Sequence, residues 1–172
     1  MGLDITYYSR LKLDETVSAD DRDDIYETHM VVYANSDFPG RAEPLVNRGC
    51  YTYEGSDGFR AGSYGGYNNW RDWLAKMAGY PAVRQPDGYR CTHAAGAWAA
   101  TSGPFWELIN FADNEGTIGS VAATKLAADF AEWDERAKAA SEAEGEPYFY
   151  EKYVEWRKAF EAAADGGAVD FH

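Results

Sequence analysis

Apolar and polar positions alternate at the start of the chain. Leu3, Ile5 and Tyr7 are separated by Asp4, Thr6 and Tyr8, the period of two expected of a strand with one buried face. His29 to Tyr33 (His-Met-Val-Val-Tyr) reads as a more buried strand, and Cys50 to Glu54 alternates again before Gly55 and Gly58. Between them, the acidic run Asp20-Asp21-Arg22-Asp23-Asp24 and the segment Asn35 to Pro44, with its Pro39-Gly40, read as loops.

The period then changes. Tyr67, Trp70, Leu74 and Met77 recur at spacings of three and four, which places them on one helix face. Gly79 followed by Pro81 is a stop signal, and Gly79 to His93 reads as irregular. Pro104 suits the first turn of a short, nearly all-apolar helix through Phe111, closed by Gly116. One longer helix is predicted from Ile118 to Ala140, with Ala122, Leu126, Phe130, Trp133 and Ala137 as its stripe. Pro147 opens a last helix with the stripe Phe149, Tyr153, Trp156, Phe160 and Ala163, capped at Gly166-Gly167. Val169 and Phe171 then alternate around Asp170, as a short strand returning to the N-terminal sheet.

Strands first and helices after them predict an α+β fold, a small N-terminal antiparallel sheet packed against about four helices. A single domain over residues 1–172 is expected: 1–58 mainly strands and loops, 66–165 mainly helical, 168–172 the returning strand.

Composition narrows the partners. Against 29 Asp and Glu there are 16 Lys and Arg, a net charge of −13, so generic nucleic-acid binding is not expected. A hydrophobic share of 45% rules out a disordered chain at that charge. No apolar run approaches the roughly 20 residues of a membrane helix, so no membrane partner is expected. Asp4 directly after Leu3 interrupts any secretory leader. Two cysteines, Cys50 and Cys91, make no disulfide framework and are expected as free thiols in a cytoplasmic setting.

The most informative stretch is Gly58 to Arg71, Gly-Phe-Arg-Ala-Gly-Ser-Tyr-Gly-Gly-Tyr-Asn-Asn-Trp-Arg, just before a helix. Glycines let backbone amides approach an anion, and a helix N-terminus adds a positive dipole. Arg60 and Arg71 offer paired donors for phosphate or carboxylate. Ser63 and Asn68 add polar edges, while Tyr64 and Tyr67 offer faces for a planar ring. The bland alternative is a turn before a helix, with Tyr67 and Trp70 in the core and both arginines paired with acids. The segment matches neither the phosphate-loop nor the dinucleotide pattern.

A second stretch, Gly103 to Gly116, places Glu107, Asn110, Asp113 and Asn114 on an otherwise apolar helix beside Trp106. Buried polar groups need partners, so these residues complete a pocket or form ion pairs. Glu107 and Asp113 as acid and base are weighed against that structural role. Cys91-Thr92-His93 lacks the ligand pairing of a zinc site, and no nucleophile with a base and an orienting group is legible. No catalytic residue, metal or cofactor is therefore assigned.

The start Met1-Gly-Leu-Asp-Ile-Thr-Tyr, the runs Phe59-Arg-Ala-Gly-Ser-Tyr-Gly-Gly-Tyr, Trp70-Arg-Asp-Trp-Leu-Ala and Gly103-Pro-Phe-Trp-Glu-Leu-Ile-Asn-Phe, and the end Trp156-Arg-Lys-Ala-Phe through Gly167-Ala-Val-Asp-Phe-His172 carry a family resemblance. The chain resembles, over nearly its whole length, an uncharacterised family of small proteins of tailed bacteriophages and prophages. That resemblance lends no catalytic residues. It implies an accessory protein in the cytoplasm of an infected bacterial host, acting against host defence. The expected activity is sequestration of a small phosphorylated or nucleotide-like ligand, such as an immune second messenger, without catalysis. Arg60 and Arg71 take the anion in this reading, Tyr64, Tyr67 and Trp106 stack, and Ser63, Asn68, Asn110 and Asp113 read polar edges. The alternatives are an acidic inhibitor that binds a host protein and, third, an enzyme acting on a nucleotide-like substrate. Homo-oligomer formation stays open.

Overall fold

The computed structural model describes residues 2–85, 88, 90–111 and 116–172, the side chain of residue 23 excepted. In chain order the elements are β1 (Leu3–Ser9), β2 (Lys12–Leu13), α1 (Arg22–Ile25), β3 (Met30–Val31), β4 (Cys50–Thr52), β5 (Gly55–Gly62), α2 (Tyr64–Met77), β6 (Val83–Arg84), β7 (Cys91–Thr92), α3 (His93–Ala99), α4 (Trp106–Ile109), β8 (Thr117–Gly119), α5 (Ser120–Glu132), α6 (Asp134–Glu144), α7 (Pro147–Ala163) and β9 (Ala168–Phe171). This is an α+β fold, as the order of the patterns predicts.

The main sheet is antiparallel with the order β5-β1-β9-β8. Its inner face carries Leu3, Ile5 and Tyr7, all buried against the helices, and Val169 and Phe171 join them from β9. The C-terminal strand is therefore central: it fills the gap between the first strand and β8, as the alternation around Asp170 predicts. Gly167 leads into it because a Cβ there would stand 1.8 Å from the Tyr8 carbonyl oxygen. The outer face is partly covered by a smaller cluster of Met30, Val32, Ala42, Tyr51 and Ala168, to which the β2-β4-β3 sheet contributes Met30 and Tyr51.

Rings fill the space between α2, α7 and the sheet. Trp156 is stacked on Trp70 at 5.7 Å and 19°, and on Tyr67 at 5.6 Å and 29°. Phe59 meets its edge at 5.1 Å. The helical stripes read from α2 and α7 are thus the core itself.

Four predicted elements change form. The acidic run 20–24, read as a loop, is helical: a short turn over Ala19–Asp21 leads into α1. The single helix predicted over 118–140 is a short strand, β8, followed by α5 and α6, which meet at Trp133 (φ −97°, ψ 4°). The short helix beginning at Pro104 shrinks to α4, because Phe105 adopts a left-handed φ of 56°. Its amide donates to the Asp129 carboxylate at 2.7 Å, a tertiary contact that local pattern does not reveal. The segment read as irregular holds the β6–β7 hairpin and leads into α3.

Candidate functional site

Ser63 opens α2. Its hydroxyl accepts from the Gly66 amide at 3.0 Å, the usual N-cap arrangement. From there Tyr67, Trp70, Trp73, Leu74 and Met77 turn into the core. Asn68 and Arg71, one turn apart, lie along the edge of that apolar face.

Arg71 is only 5% exposed. Its Nη1 donates to the carbonyls of Ile109 at 2.9 Å and Phe111 at 3.1 Å, and its Nη2 to Asn68 Oδ1 at 2.5 Å. The guanidinium lies 5.0 Å from the centre of the Tyr67 ring. Its Nε is buried with no hydrogen-bond partner, and none of the ion pairs among the described residues engages Arg71. Removing an ion from water costs several kcal/mol even after relaxation. Neutral hydrogen-bond partners offset only part of that cost, so the site favours a negative charge.

A cavity of about 370 Å³ adjoins this arginine, between α2 on one side and the β6–β7 hairpin and α3 on the other. Asn68, Arg71, Asp72, Gln85, Arg90, Thr92 and Trp98 are among the residues that line it. Its size falls within the roughly 300–1,000 Å³ of small-molecule sites. Local hydrogen bonds hold the walls together. Asp72 Oδ1 accepts from the Ala94 amide at 2.8 Å, joining α2 to the first turn of α3. Thr92 caps α3 through the Ala95 amide at 3.1 Å and accepts from Gln85 Nε2 at 3.3 Å. Trp98 is 39% exposed and donates from Nε1 to the Ile109 carbonyl at 3.3 Å, so its ring is positioned without being buried.

The structure brings Asn68 and Arg71 together at this cavity and distributes the other candidates elsewhere. Arg60 does not line it. Alternate residues of a strand face opposite sides, so Phe59 packs toward the helices while Arg60 stands on the outer face, paired with Asp4 at 3.4 Å. Tyr67 is fully buried between Trp70 and Trp156 and donates its hydroxyl to the Phe111 carbonyl at 3.1 Å, which leaves no ring face for a ligand. Tyr64 is exposed in the first turn of α2, and Ser63 is the cap; neither lines the cavity.

Trp106 donates to the carbonyls of Ala97 and Ala100 at 3.1 and 3.0 Å, and Asn110 Nδ2 returns to the Trp106 carbonyl at 2.9 Å. Both are absent from the cavity wall, so the pocket that the Gly103–Gly116 stretch was expected to complete with the Gly58–Arg71 segment is formed instead by α2, the β6–β7 hairpin and α3. Asp113 falls outside the described residues. Glu107 is held by Lys125 at 2.7 Å. Cys50 and Cys91 are free, and His93 Nδ1 donates to the Tyr80 carbonyl at 2.6 Å. Among the described residues no group of three or more His, Cys, Asp and Glu is placed to hold a metal ion, and no helix is long and apolar enough to cross a membrane.

Asn69, Asp72, Gln85, Arg90, Thr92 and Trp98 are among the wall residues that the sequence reading missed. Thr92, an N-cap residue type before the alanine-rich run 94–97, was a legible helix start. The tight approach of Gly96 to the Pro81 carbonyl, where a Cβ would stand at 2.0 Å, was not. Comparison with family models, curated proteins and solved structures finds no significant match to this chain.

Proposed function

We propose that the protein binds a small phosphorylated or nucleotide-like ligand in the cavity between α2 and α3 and holds it unaltered. The observation that supports this reading is Arg71, a buried cation with a free Nε and no carboxylate partner among the described residues, on the wall of a polar cavity. An oxyanion there would supply the missing counter-charge, and hydrogen bonds to charged groups contribute roughly 1.5–3 kcal/mol each. Arg90 offers a second cation for a doubly charged ligand. Trp98 presents a partly exposed ring, and stacking on an aromatic contributes about 1–3 kcal/mol per base. Asn68, Gln85 and Thr92 supply donors and acceptors for polar edges.

Sequestration needs no proton transfer; charge, hydrogen bonds and one ring suffice. The resemblance to small phage proteins directs the choice of ligand toward nucleotide messengers of bacterial defence, with the host cytoplasm as the place of action.

The test is a thermal-shift panel of cyclic oligonucleotides and ADP-ribose derivatives, followed by heat release and identification of the bound compound. A ligand at a hundred times its Kd adds about 2.7 kcal/mol, a rise in Tm of about 5–10 °C for a chain of this size. The expected result is such a rise for at least one compound, recovered chemically intact. Trp98→Ala is expected to weaken its binding by about tenfold to a hundredfold and to leave the Tm of the free protein nearly unchanged. An altered compound would make the protein an enzyme. No shift across the panel, with a host protein co-purifying, would favour an acidic inhibitor instead.

A further inference from the structure

The outer face of the main sheet carries a second group of polar side chains, separate from the cavity beside Arg71. Asp170 on β9 is flanked across the strands by Thr6 of β1 and Thr117 of β8. The Thr117 hydroxyl donates to Asp170 Oδ1 at 3.0 Å and accepts the Tyr33 amide at 3.2 Å. His172 Nε2 lies 2.8 Å from Thr6 Oγ1. The segment running from α1 to β3 passes over this row and leaves a cleft of about 240 Å³ lined by Tyr8, Arg22, Tyr26, His29, Asp170 and His172, among others.

The charges in this cleft are unusual for a protein with a net charge of −13. None of the ion pairs among the described residues engages Arg22. Two imidazoles face the same space. His29 is held from behind, with Nδ1 at 2.8 Å from Thr28 Oγ1 and Nε2 at 3.3 Å from Asp14. Among the described residues, the carboxylate that lines the cleft is Asp170. Burial pushes it up to about 6, against the opposing pull of Thr117, His172 and Arg22. Tyr8, pushed up to about 12 by burial, then by Asp170 and Tyr53, stays a phenol and a donor.

We propose that this cleft is a second binding site, for a phosphate-type oxyanion, and that the anion enters together with a proton on Asp170. A carboxylate beside the anion would repel it, whereas the protonated carboxyl donates a hydrogen bond to it. Arg22 supplies the positive field, and the Tyr8 hydroxyl supplies a neutral donor. The cleft is smaller than most sites for drug-sized molecules, which suits a free ion or the head of a small ester. The proposal shares no residue with the α2–α3 cavity and stands or falls independently of it.

The probe is inorganic sulfate, whose charge is constant between pH 5.5 and 7.5. Its binding is read from the ring-proton NMR signals of His29 and His172, with His93 as the internal control. Affinity is expected to be at least about tenfold higher at pH 5.5 than at pH 7.5, as linkage to an acid titrating near 6 requires. Arg22→Gln is expected to weaken binding at pH 5.5 by about tenfold. Asp170→Asn, which keeps an acceptor for Thr117, is expected to remove most of that pH dependence. A second arm at pH 5.5 compares sulfate with glycerol phosphate: tighter binding of the ester assigns the site to small phosphate esters, and equal binding to the bare ion.

Folding gives a parallel check. The folded protein holds the Asp170 proton more tightly than an unfolded carboxyl of pKa about 3.9, so the contribution of Asp170 to stability falls as pH rises from about 4 to about 6. Asp170→Asn removes that fall. The proposal is overturned if sulfate affinity does not depend on pH, if Arg22→Gln leaves it unchanged, if Asp170→Asn retains the full pH ratio, or if His93 responds in place of His29 and His172.

Discussion

Replacing Arg71 by methionine is expected to abolish ligand binding while changing folding stability by no more than about 1 kcal/mol. The two effects separate because the guanidinium makes no ion pair among the described residues. Its carbonyl acceptors keep other donors: the Tyr67 hydroxyl reaches Phe111 O at 3.1 Å, and Trp98 Nε1 reaches Ile109 O at 3.3 Å. Asn68 is exposed, so its side chain can turn to water. Methionine fills a similar volume, and the buried charge it removes was costly; replacing buried ions by apolar groups is often neutral or stabilising. Binding behaves oppositely. Two charge-assisted hydrogen bonds to an oxyanion, at roughly 1.5–3 kcal/mol each, amount to more than a hundredfold in Kd. Titration calorimetry with the best compound of the panel, paired with urea unfolding, reads both quantities. A variant that loses several kcal/mol of stability but binds normally would make Arg71 a structural strut and nothing more.

Trp156→Ala carries the largest expected effect on folding. Its ring is 1% exposed and meets Tyr67, Trp70, Phe160, Phe171 and Phe59. Truncating a buried tryptophan to alanine costs about 3–5 kcal/mol, a large part of the about 5–15 kcal/mol that stabilises a typical domain. α7 would lose its grip on α2 and on β9 at once. Urea unfolding at neutral pH is expected to show a loss in that range, with reduced near-ultraviolet circular dichroism from the loosened rings. A loss below about 1 kcal/mol would mean that the stacked column does not carry the core.

Much of the fold is legible because burial and period coincide. Leu3, Ile5 and Tyr7 alternate into the core, and the stripes of α2 and α7 are the residues that meet across it. The break at Trp133 left no such trace. Ala122, Leu126, Phe130, Trp133 and Ala137 keep a helical period straight through it, with no glycine or proline to mark the turn. β8 was equally hidden: Gly119 lies where a Cβ would stand 2.2 Å from the Ala42 carbonyl oxygen, a close approach set by tertiary packing.

The candidate site was half legible. Glycines and arginines before a helix pointed to Arg71 and Asn68, and α2 does carry them to a cavity. Arg60 was misplaced because the reading joined strand and helix residues without assigning faces. Phe59 points to the helices, so its neighbour must point away. Trp98 and Arg90 escaped because nothing local in the 79–103 segment shows that it folds back onto α2.

The most direct measurement is an NMR titration that follows the Arg71 Nε–H and the six tryptophan indole N–H signals as the panel compounds are added. A compound seated beside the buried guanidinium is expected to move the Arg71 Nε–H strongly downfield and to shift Trp98, while Trp70 and Trp156 stay in place. If a compound binds tightly while both Arg71 and Trp98 remain unmoved, the cavity between α2 and α3 is not where the ligand goes.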